Sequence, residues 1–156
     1  MEKLSSLDVS RYIRFLAMNR YHVALNRTQV NILLYVCFAY YLVLNNSTES
    51  PLSDAEAPKA WLYGPTFPRA YNLFDDYNFS IKTRVKSRIE QDPMWSRIVP
   101  FVVDKFRRYS SFDLVRWVQR VGTPWHVTVF GTEGTSSELK WDAPIDNGLT
   151  LDYFKP

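Results

Sequence analysis

The apolar positions near the start of the chain recur at the spacing of an α-helix. Val9, Ile13 and Leu16 follow one another at intervals of four and three residues, which places their side chains on one side of a helix. Residues 5–8, Ser-Ser-Leu-Asp, offer capping side chains just before them, and Arg14 falls outside the apolar stripe. The pattern predicts a first amphipathic helix.

The next apolar segment has no polar side. From Val30 to Leu44 every residue except Asn31 is apolar, and Asn26 or Thr28 can cap the start of this helix. The uninterrupted apolar run 32–44 has 13 residues, which is short of the roughly 20 that a helix needs to cross a bilayer. We therefore expect a helix that is buried among other helices, and we expect no membrane span.

Helical spacing returns in the second half of the chain. Asp92-Pro93 can start a helix, which Pro100 must either kink or restart. Ser110, with Asp113 three residues later, resembles a capping box in front of a further helix. The apolar positions that predict these two helices are Ile98, Phe101, Val102, Phe106 and Tyr109 in the first and Leu114, Trp117, Val118 and Val121 in the second.

The remaining segments give weaker patterns. The polar stretch 45–58 ends the central helix. After Trp125 the sequence HVTVF favours a strand, whereas Thr123-Pro124 favours the start of a helix, so both structures stay open there. Asp146 can begin a last short helix.

Composition fits one globular domain. The chain has 156 residues, of which 46% are hydrophobic and 22% are charged, and this length is enough to bury a core. Aromatic residues make up 16% of the chain, so the core and any contact surface should be rich in large flat side chains. We predict a mainly α fold: a single compact helical domain over residues 1–156, with a buried central helix and at most a small β element.

Candidate chemical groups are few. The only cysteine, Cys37, lies in the apolar run, which indicates a buried side chain and a reducing, cytoplasmic compartment. His22 and His126 are too few to build a zinc site. The pair Asp75-Asp76 is typical of a solvated helix end and lacks a second, different environment for acid–base work. With no glycine-rich phosphate loop and no GxSxG motif, the sequence predicts neither catalysis nor a cofactor.

Positive charge is concentrated in the middle of the chain. Residues 79–120 carry a net charge of +6, whereas residues 1–78 carry 0 and residues 121–156 carry −3. We expect a mixed helix and loop whose exposed basic surface steers an acidic partner. Aromatics beside these cations also fit a nucleic-acid groove, which is the alternative, although no nucleic-acid-binding signature accompanies them. The cations of this basic run are Lys82, Arg84, Lys86 and Arg88.

The stiffest part of the chain is the stretch AWLYGPTFPRAY at residues 60–71, which we call the corner. Pro65 and Pro68 fix the backbone φ at about −65°. Gly64, directly before Pro65, can supply a turn and a close approach of the backbone to its neighbours. We expect three large side chains to clamp the corner to the core: Trp61, Phe67 and Tyr71.

The corner also carries a family resemblance. Residues 61–65, Trp-Leu-Tyr-Gly-Pro, followed by Pro68 and Tyr71, resemble the AW-x-YGP-x-x-P-x-x-Y signature of the Panacea domain, also called the SocA-like or phage-associated GepA-like antitoxin domain. Further blocks resemble the family in the same order, so the resemblance spans about Val9 to Phe154. These blocks are 29–35, similar to its LQKLLY helix, 39–42, 109–114, Pro124-Trp125 and the terminal segment 146–154.

The resemblance implies an antitoxin, a helical domain that binds and neutralises a toxin encoded beside it on a prophage or mobile element. Toxins associated with the family include alarmone-synthetase-like enzymes and others that block translation. It also implies a non-catalytic protein without a cofactor, whose binding partner is the cognate toxin. A nucleic-acid-binding regulator and an adaptor that presents a client to a protease are the alternatives.

The resemblance implies a scaffold role for the corner and for Pro124-Trp125. Direct contact of Trp61, Tyr63 and Tyr71 with a toxin is the alternative, because Trp and Tyr are enriched at binding hot spots. The lysine of the family's LQKLLY block is Asn31 here, and the histidine that often follows its EL block is not found in 114–121. The roles of those two family side chains therefore do not carry over.

Overall fold

The computed structural model of the chain describes residues 2–54, 57–131 and 139–156. These residues form eight helices and one two-stranded antiparallel sheet, which confirms the predicted mainly α class with a small β element. In chain order the elements are α1 Ser6–Tyr21, α2 Arg27–Asn45, β1 Lys59–Trp61, β2 Gly64–Thr66, α3 Pro68–Asn72, α4 Thr83–Gln91, α5 Trp95–Phe106, α6 Ser111–Val118, α7 Pro124–Phe130 and α8 Asn147–Phe154.

Capping boxes start the first two helices. At α1 the Ser5 hydroxyl accepts from the Asp8 backbone N–H at 3.1 Å, and the Asp8 carboxylate accepts from the Ser5 N–H at 3.4 Å. At α2 Asn26 and Gln29 exchange the same two bonds, each at 2.9 Å. Both starts are local in sequence, so the predicted boundary of α1 is confirmed and Asn26 is the cap of α2.

Helix α2 is the centre of the fold, as the sequence predicts. It contacts α1, α3, α5, α6, α8 and β2. By length and composition α2 is apolar enough to cross a membrane, but most of it is covered by the other helices, as in the core helix of a water-soluble domain. Its buried residues are Val30, Asn31, Ile32, Leu33, Leu34, Tyr35, Val36, Cys37, Phe38, Ala39 and Leu42.

Helix α5 continues through Pro100 and is not restarted there. Proline removes only the backbone bond to the carbonyl four residues earlier, and this position is close to the helix start. The Asp92 carboxylate caps that start by accepting from the N–H groups of Met94 and Trp95, each at 2.9 Å. The helix therefore begins slightly after the predicted Pro93.

Three apolar positions of the predicted stripes lie outside the core. Phe101 is 54% exposed, Tyr109 is 50% exposed and Val121 is 86% exposed. Val121 is exposed because α6 ends at Val118. On α5 the buried side is turned away from Phe101, because it includes Ile98, Val99, Val102, Val103 and Phe106.

The last two helices are set by their caps. The Thr123 hydroxyl accepts from the His126 N–H at 3.2 Å, and Pro124 occupies the first turn of α7. The sequence HVTVF is therefore helical, and the helical alternative is the correct one. At α8 the Asp146 side chain accepts from Gly148 N–H at 2.6 Å, which confirms the predicted start.

Candidate functional site

The corner is a tight hairpin that requires glycine at its turn. Strands β1 and β2 pair antiparallel, with Trp61 opposite Gly64. Gly64 has φ of 121°, and a Cβ added there would lie 2.9 Å from Cγ2 of Val118 on α6. Both the backbone conformation and the close approach exclude other side chains.

Polar side chains from two helical regions hold the hairpin. Asn31 of α2 is buried, and its Nδ2 donates to the Pro65 carbonyl at 2.9 Å. Gln119, which follows α6, donates from Nε2 to the Leu62 carbonyl at 2.7 Å. Asn31 thus fixes the corner to the central helix.

The large side chains of the corner differ in burial. Phe67 is fully buried, as expected, but Trp61 and Tyr71 are only half-buried and Tyr63 is exposed. Trp61 packs edge-on against Tyr71 with ring centroids 5.8 Å apart, and its Nε1 donates to Asp142 Oδ1 at 2.6 Å. The expectation that all three rings are clamped in the core is wrong for Trp61 and Tyr71.

The buried tryptophan beside the corner is Trp125. Its side chain is 4% exposed and its Nε1 donates to the Trp61 carbonyl at 2.8 Å. It lies in a small second core, where it contacts Phe130 and Trp141 at centroid distances of 6.0 and 5.8 Å. The other buried members of this core are Ala60, Val129 and Ile145.

The basic run is divided between two sides of α4. Residues two apart on a helix point about 160° away from each other, so 82 and 86 lie opposite 84 and 88. Lys86 Nζ lies 2.9 Å from a Glu90 carboxylate oxygen, and Arg88 donates at 2.9 Å to a backbone carbonyl near the N-terminus. Lys82 and Arg84 are exposed. The expected single basic surface is therefore reduced to separated cations.

Arg14 forms a structural site that the sequence pattern did not predict. Its guanidinium is buried between the rings of Phe74 and Phe79, at 4.4 and 4.0 Å from their centroids. This desolvation lowers the pKa of Arg14. The guanidinium donates to the backbone carbonyl of Leu25, which lies before α2. It also donates to three carbonyls of the loop after α3, those of Asp75, Asp76 and Asn78, and so holds that loop in place. No local spacing signals this contact, because the partners lie 11 to 64 positions away.

Reactive side chains in the described residues are isolated. No group of three His, Cys, Asp or Glu side chains there could hold a metal ion. Cys37 is fully buried, and burial raises the pKa of its thiol. His126 stacks on Phe130 at 4.7 Å, and the carboxylates of Asp75 and Asp76 are exposed.

A continuous chain of aromatic rings crosses one surface of the molecule. Successive ring centroids lie 5.9, 6.1, 6.2, 5.3 and 6.0 Å apart, from Phe101 at one end to Tyr109 at the other. Tyr153 adds a further contact to Phe154 at 5.2 Å. We call this surface the aromatic face, and its members are Tyr40, Phe101, Phe106, Tyr109, Trp117, Tyr153 and Phe154.

Two open cavities lie side by side on the aromatic face, with Tyr40 and Phe154 in the wall of both. The first cavity has a volume of about 410 Å³ and the second about 490 Å³, which is within the range of binding pockets. The further lining of the first is Val43, Leu44, Arg97, Ile98 and Phe101, and that of the second is Lys105, Phe106, Tyr109, Asp113, Leu114, Trp117 and Tyr153.

Several groups on this face are open to a partner. Leu44, Phe101 and Tyr109 are each at least half exposed. In the described part of the chain no protein group accepts from Trp117 Nε1. The Lys105 ammonium lies 5.7 Å from the ring centroid of Phe101 and 5.5 Å from that of Phe106. This exposed apolar surface is a candidate contact site. The helical spacing did not predict it, because that pattern assigns Phe101 and Tyr109 to the core.

No family model, curated protein or solved structure matches the chain. The resemblance to the Panacea signature therefore depends on the corner and on the order of the weaker blocks. Of these residues, Gly64 and Asn31 have geometric roles in the hairpin, and Trp125 has one in the second core.

Proposed function

We propose that the chain is a cytoplasmic antitoxin that neutralises a cognate toxin by direct, stoichiometric protein–protein binding. Two independent features support this proposal. The sequence resembles a family of antitoxins along nearly its whole length, and the fold leaves three rings of a connected aromatic set exposed, those of Phe101, Tyr109 and Tyr153. The aromatic face is the observation that carries the proposal, because Leu44, Phe101 and Tyr109 remain at least half exposed beside its two cavities.

The composition of the aromatic face suits a protein partner. Tyr, Trp and Phe are enriched in the cores of protein interfaces, where their large area is buried at little cost in side-chain entropy. Ring pairs already fixed in edge-on contact lose less freedom on binding than free side chains do. Apolar rings surrounding two cavities therefore form a surface that gains stability when another protein covers it.

A nucleic-acid-binding regulator is the second candidate, supported by the exposed cations Lys82 and Arg84 beside Tyr77, which is 93% exposed. This candidate is weakened because two of the four cations of the basic run, Lys86 and Arg88, already have protein partners.

Co-expression with the product of the neighbouring gene tests the proposed function. We expect this chain to restore growth and to co-purify with that protein in a fixed ratio, with an affinity that falls with salt much less steeply than that of a nucleic-acid complex. Rescue at strongly substoichiometric levels without co-purification would instead indicate an enzyme or an adaptor for a protease. Binding to RNA or DNA that falls steeply with salt would indicate the regulator.

A further inference from the structure

We propose that the aromatic face receives an acidic amphipathic α-helix of the partner, whose apolar side chains enter the two cavities while its carboxylates face the cations at their edges. This inference rests on the proposed function only in taking the partner to be the toxin. The helical form, the apolar spacing and the acidic charge each follow from a separate feature of the face.

The helical form follows from the walls of the face. Apart from Tyr109 in the turn between α5 and α6, they consist of side chains from α2, α5, α6 and α8, whose own backbone groups are bonded within those helices. An extended segment would find no sheet edge to pair with there, so its backbone groups would lose water without gaining partners. A helix satisfies its backbone internally and presents only side chains, as helices do when they bind in apolar grooves.

The apolar spacing follows from the two cavities. Tyr40 and Phe154 line both cavities, so the two cavities are immediate neighbours. Side chains one turn apart on a helix have Cβ atoms about 5–6 Å apart, and those two turns apart are about twice as distant. Two apolar residues separated by one or two turns can therefore enter both cavities from a single helix.

The acidic charge of the proposed partner helix is inferred from the cations around the aromatic face. Arg97 lines the first cavity and Lys105 lines the second, and neither has a carboxylate partner in the described residues. Most nearby carboxylates are already paired: Asp104 with Arg107 at 3.1 Å, and Asp152 with Lys155 at 3.0 Å. Asp113 is the one acidic residue in the two linings.

Additional positive charge lies on the neighbouring helix surface. Arg116 and Arg120 on and after α6 are exposed, and neither has a carboxylate partner among the described residues, although Arg120 donates to the Tyr153 hydroxyl at 3.0 Å. The indole N–H of Trp117 is a further donor without a protein acceptor in the described part of the chain. Carboxylates on the partner helix would supply acceptors for these donors, and opposite charge would steer its approach.

The test uses the full-length protein and four single variants in two matched pairs. Phe101→Ser removes an exposed ring of the aromatic face, and Phe112→Ser removes an exposed ring that lines neither cavity. Lys105→Glu reverses a charge beside the cavities, and Arg84→Glu reverses an exposed charge on α4. Thermal melting first establishes that each variant is folded.

Two probes separate this inference from the proposed function. The first probe is the neighbouring-gene protein, whose dissociation constant is measured with each variant. The second is a pair of synthetic peptides of about 16 residues, long enough to form a helix, with leucines at i, i+4 and i+7 and with either Glu or Lys at the other exposed positions. Peptide binding is followed by NMR through the indole N–H signal of Trp117.

We expect Phe101→Ser and Lys105→Glu to weaken the protein complex at least about tenfold, with Phe112→Ser and Arg84→Glu close to the wild type. We also expect the Glu peptide to shift the Trp117 signal, and the Lys peptide and the Phe101→Ser variant to give no shift. An intact complex with both face variants would overturn the inference while leaving the antitoxin function standing. A wild-type protein that binds no neighbouring-gene product would overturn the function, and the peptides would still decide the inference. If both peptides bind equally well, or if neither binds, the inference of an acidic partner helix is overturned.

Discussion

The corner at residues 60–71 and the aromatic face are both rich in rings and hold those rings in different ways. In the corner and the core behind it, polar bonds fix the rings: Trp61 Nε1 donates to Asp142, and Trp125 Nε1 donates to the Trp61 carbonyl. On the aromatic face rings contact mainly other rings, and Trp117 Nε1 has no protein acceptor in the described residues.

The difference shows how one ring-rich composition can serve both stability and recognition. A directional hydrogen bond from a buried donor fixes one geometry, because leaving that donor unpaired would be costly. Ring-to-ring contacts need no hydrogen bond to hold them, so a partner can cover these rings without breaking one. We therefore expect changes in the corner to act on folding and changes on the aromatic face to act on binding.

The largest expected effect is that of Trp125→Ala. The side chain is 4% exposed and its loss removes both a buried ring and a hydrogen bond, so the free energy of unfolding should fall by about 3–5 kcal/mol. Chemical denaturation measures the change. The matched variant Trp61→Ala should cost clearly less, because Trp61 is half-buried. Equal losses would mean that the two tryptophans are equally part of the core.

Gly64→Val should come next. The valine would adopt φ of 121° and place its Cβ against the stiff, β-branched Val118, which we expect to cost about 2–4 kcal/mol. Gly122→Val is the control, since Gly122 has φ of 90° with nothing within 4 Å of an added Cβ. The control should show only the cost of the backbone conformation. Equal changes in melting temperature for the two variants would show that contact with Val118 is unimportant.

Phe101→Ser should have a small effect on folding. Its ring is 54% exposed, so we expect the free energy of unfolding to change by less than about 1 kcal/mol. Phe67→Ala, in the corner, removes a fully buried ring and should cost about 3–5 kcal/mol. Urea titrations of both variants test this difference. A large loss with Phe101→Ser would make the aromatic face part of the folding core.

Charge reversal on α4 should have the smallest effect. The double variant Lys82→Glu, Arg84→Glu changes exposed cations outside the aromatic face, whose influence is screened within about 8 Å at physiological salt. We expect partner association at physiological salt to slow by about twofold or less, with dissociation unchanged. Stopped-flow measurements of the association and dissociation rates compare the double variant with Lys105→Glu. A faster dissociation with the double variant would place α4 inside the interface.

Local sequence determined the helices that carry their own start signals. Ser5 with Asp8, Asn26 with Gln29, and Asp146 each lie within three residues of the groups that they cap, so reading the chain in order finds them. The all-apolar character of α2 likewise required a central position, because only burial on every side removes such a helix from water.

The corner was also predicted in part from sequence. Proline and glycine restrict the backbone by their own covalent structure, so a tight turn at Gly64 follows from residue type. Which tryptophan is buried does not follow, because Trp61 and Trp125 have the same apolar area and only the packing of α7 against β1 distinguishes them.

Tertiary structure alone decided the buried Arg14 and the aromatic face. The Arg14 guanidinium donates to carbonyls 11 to 64 positions away in the sequence. The spacing of apolar residues along one helix gives no information about such distant partners. Rings from four helices and one turn form the aromatic face, and Phe101 belongs to it because the buried side of α5 also includes its valines. Spacing along the chain specifies which residues share a side of one helix, whereas exposure depends on how that helix is rotated against its neighbours.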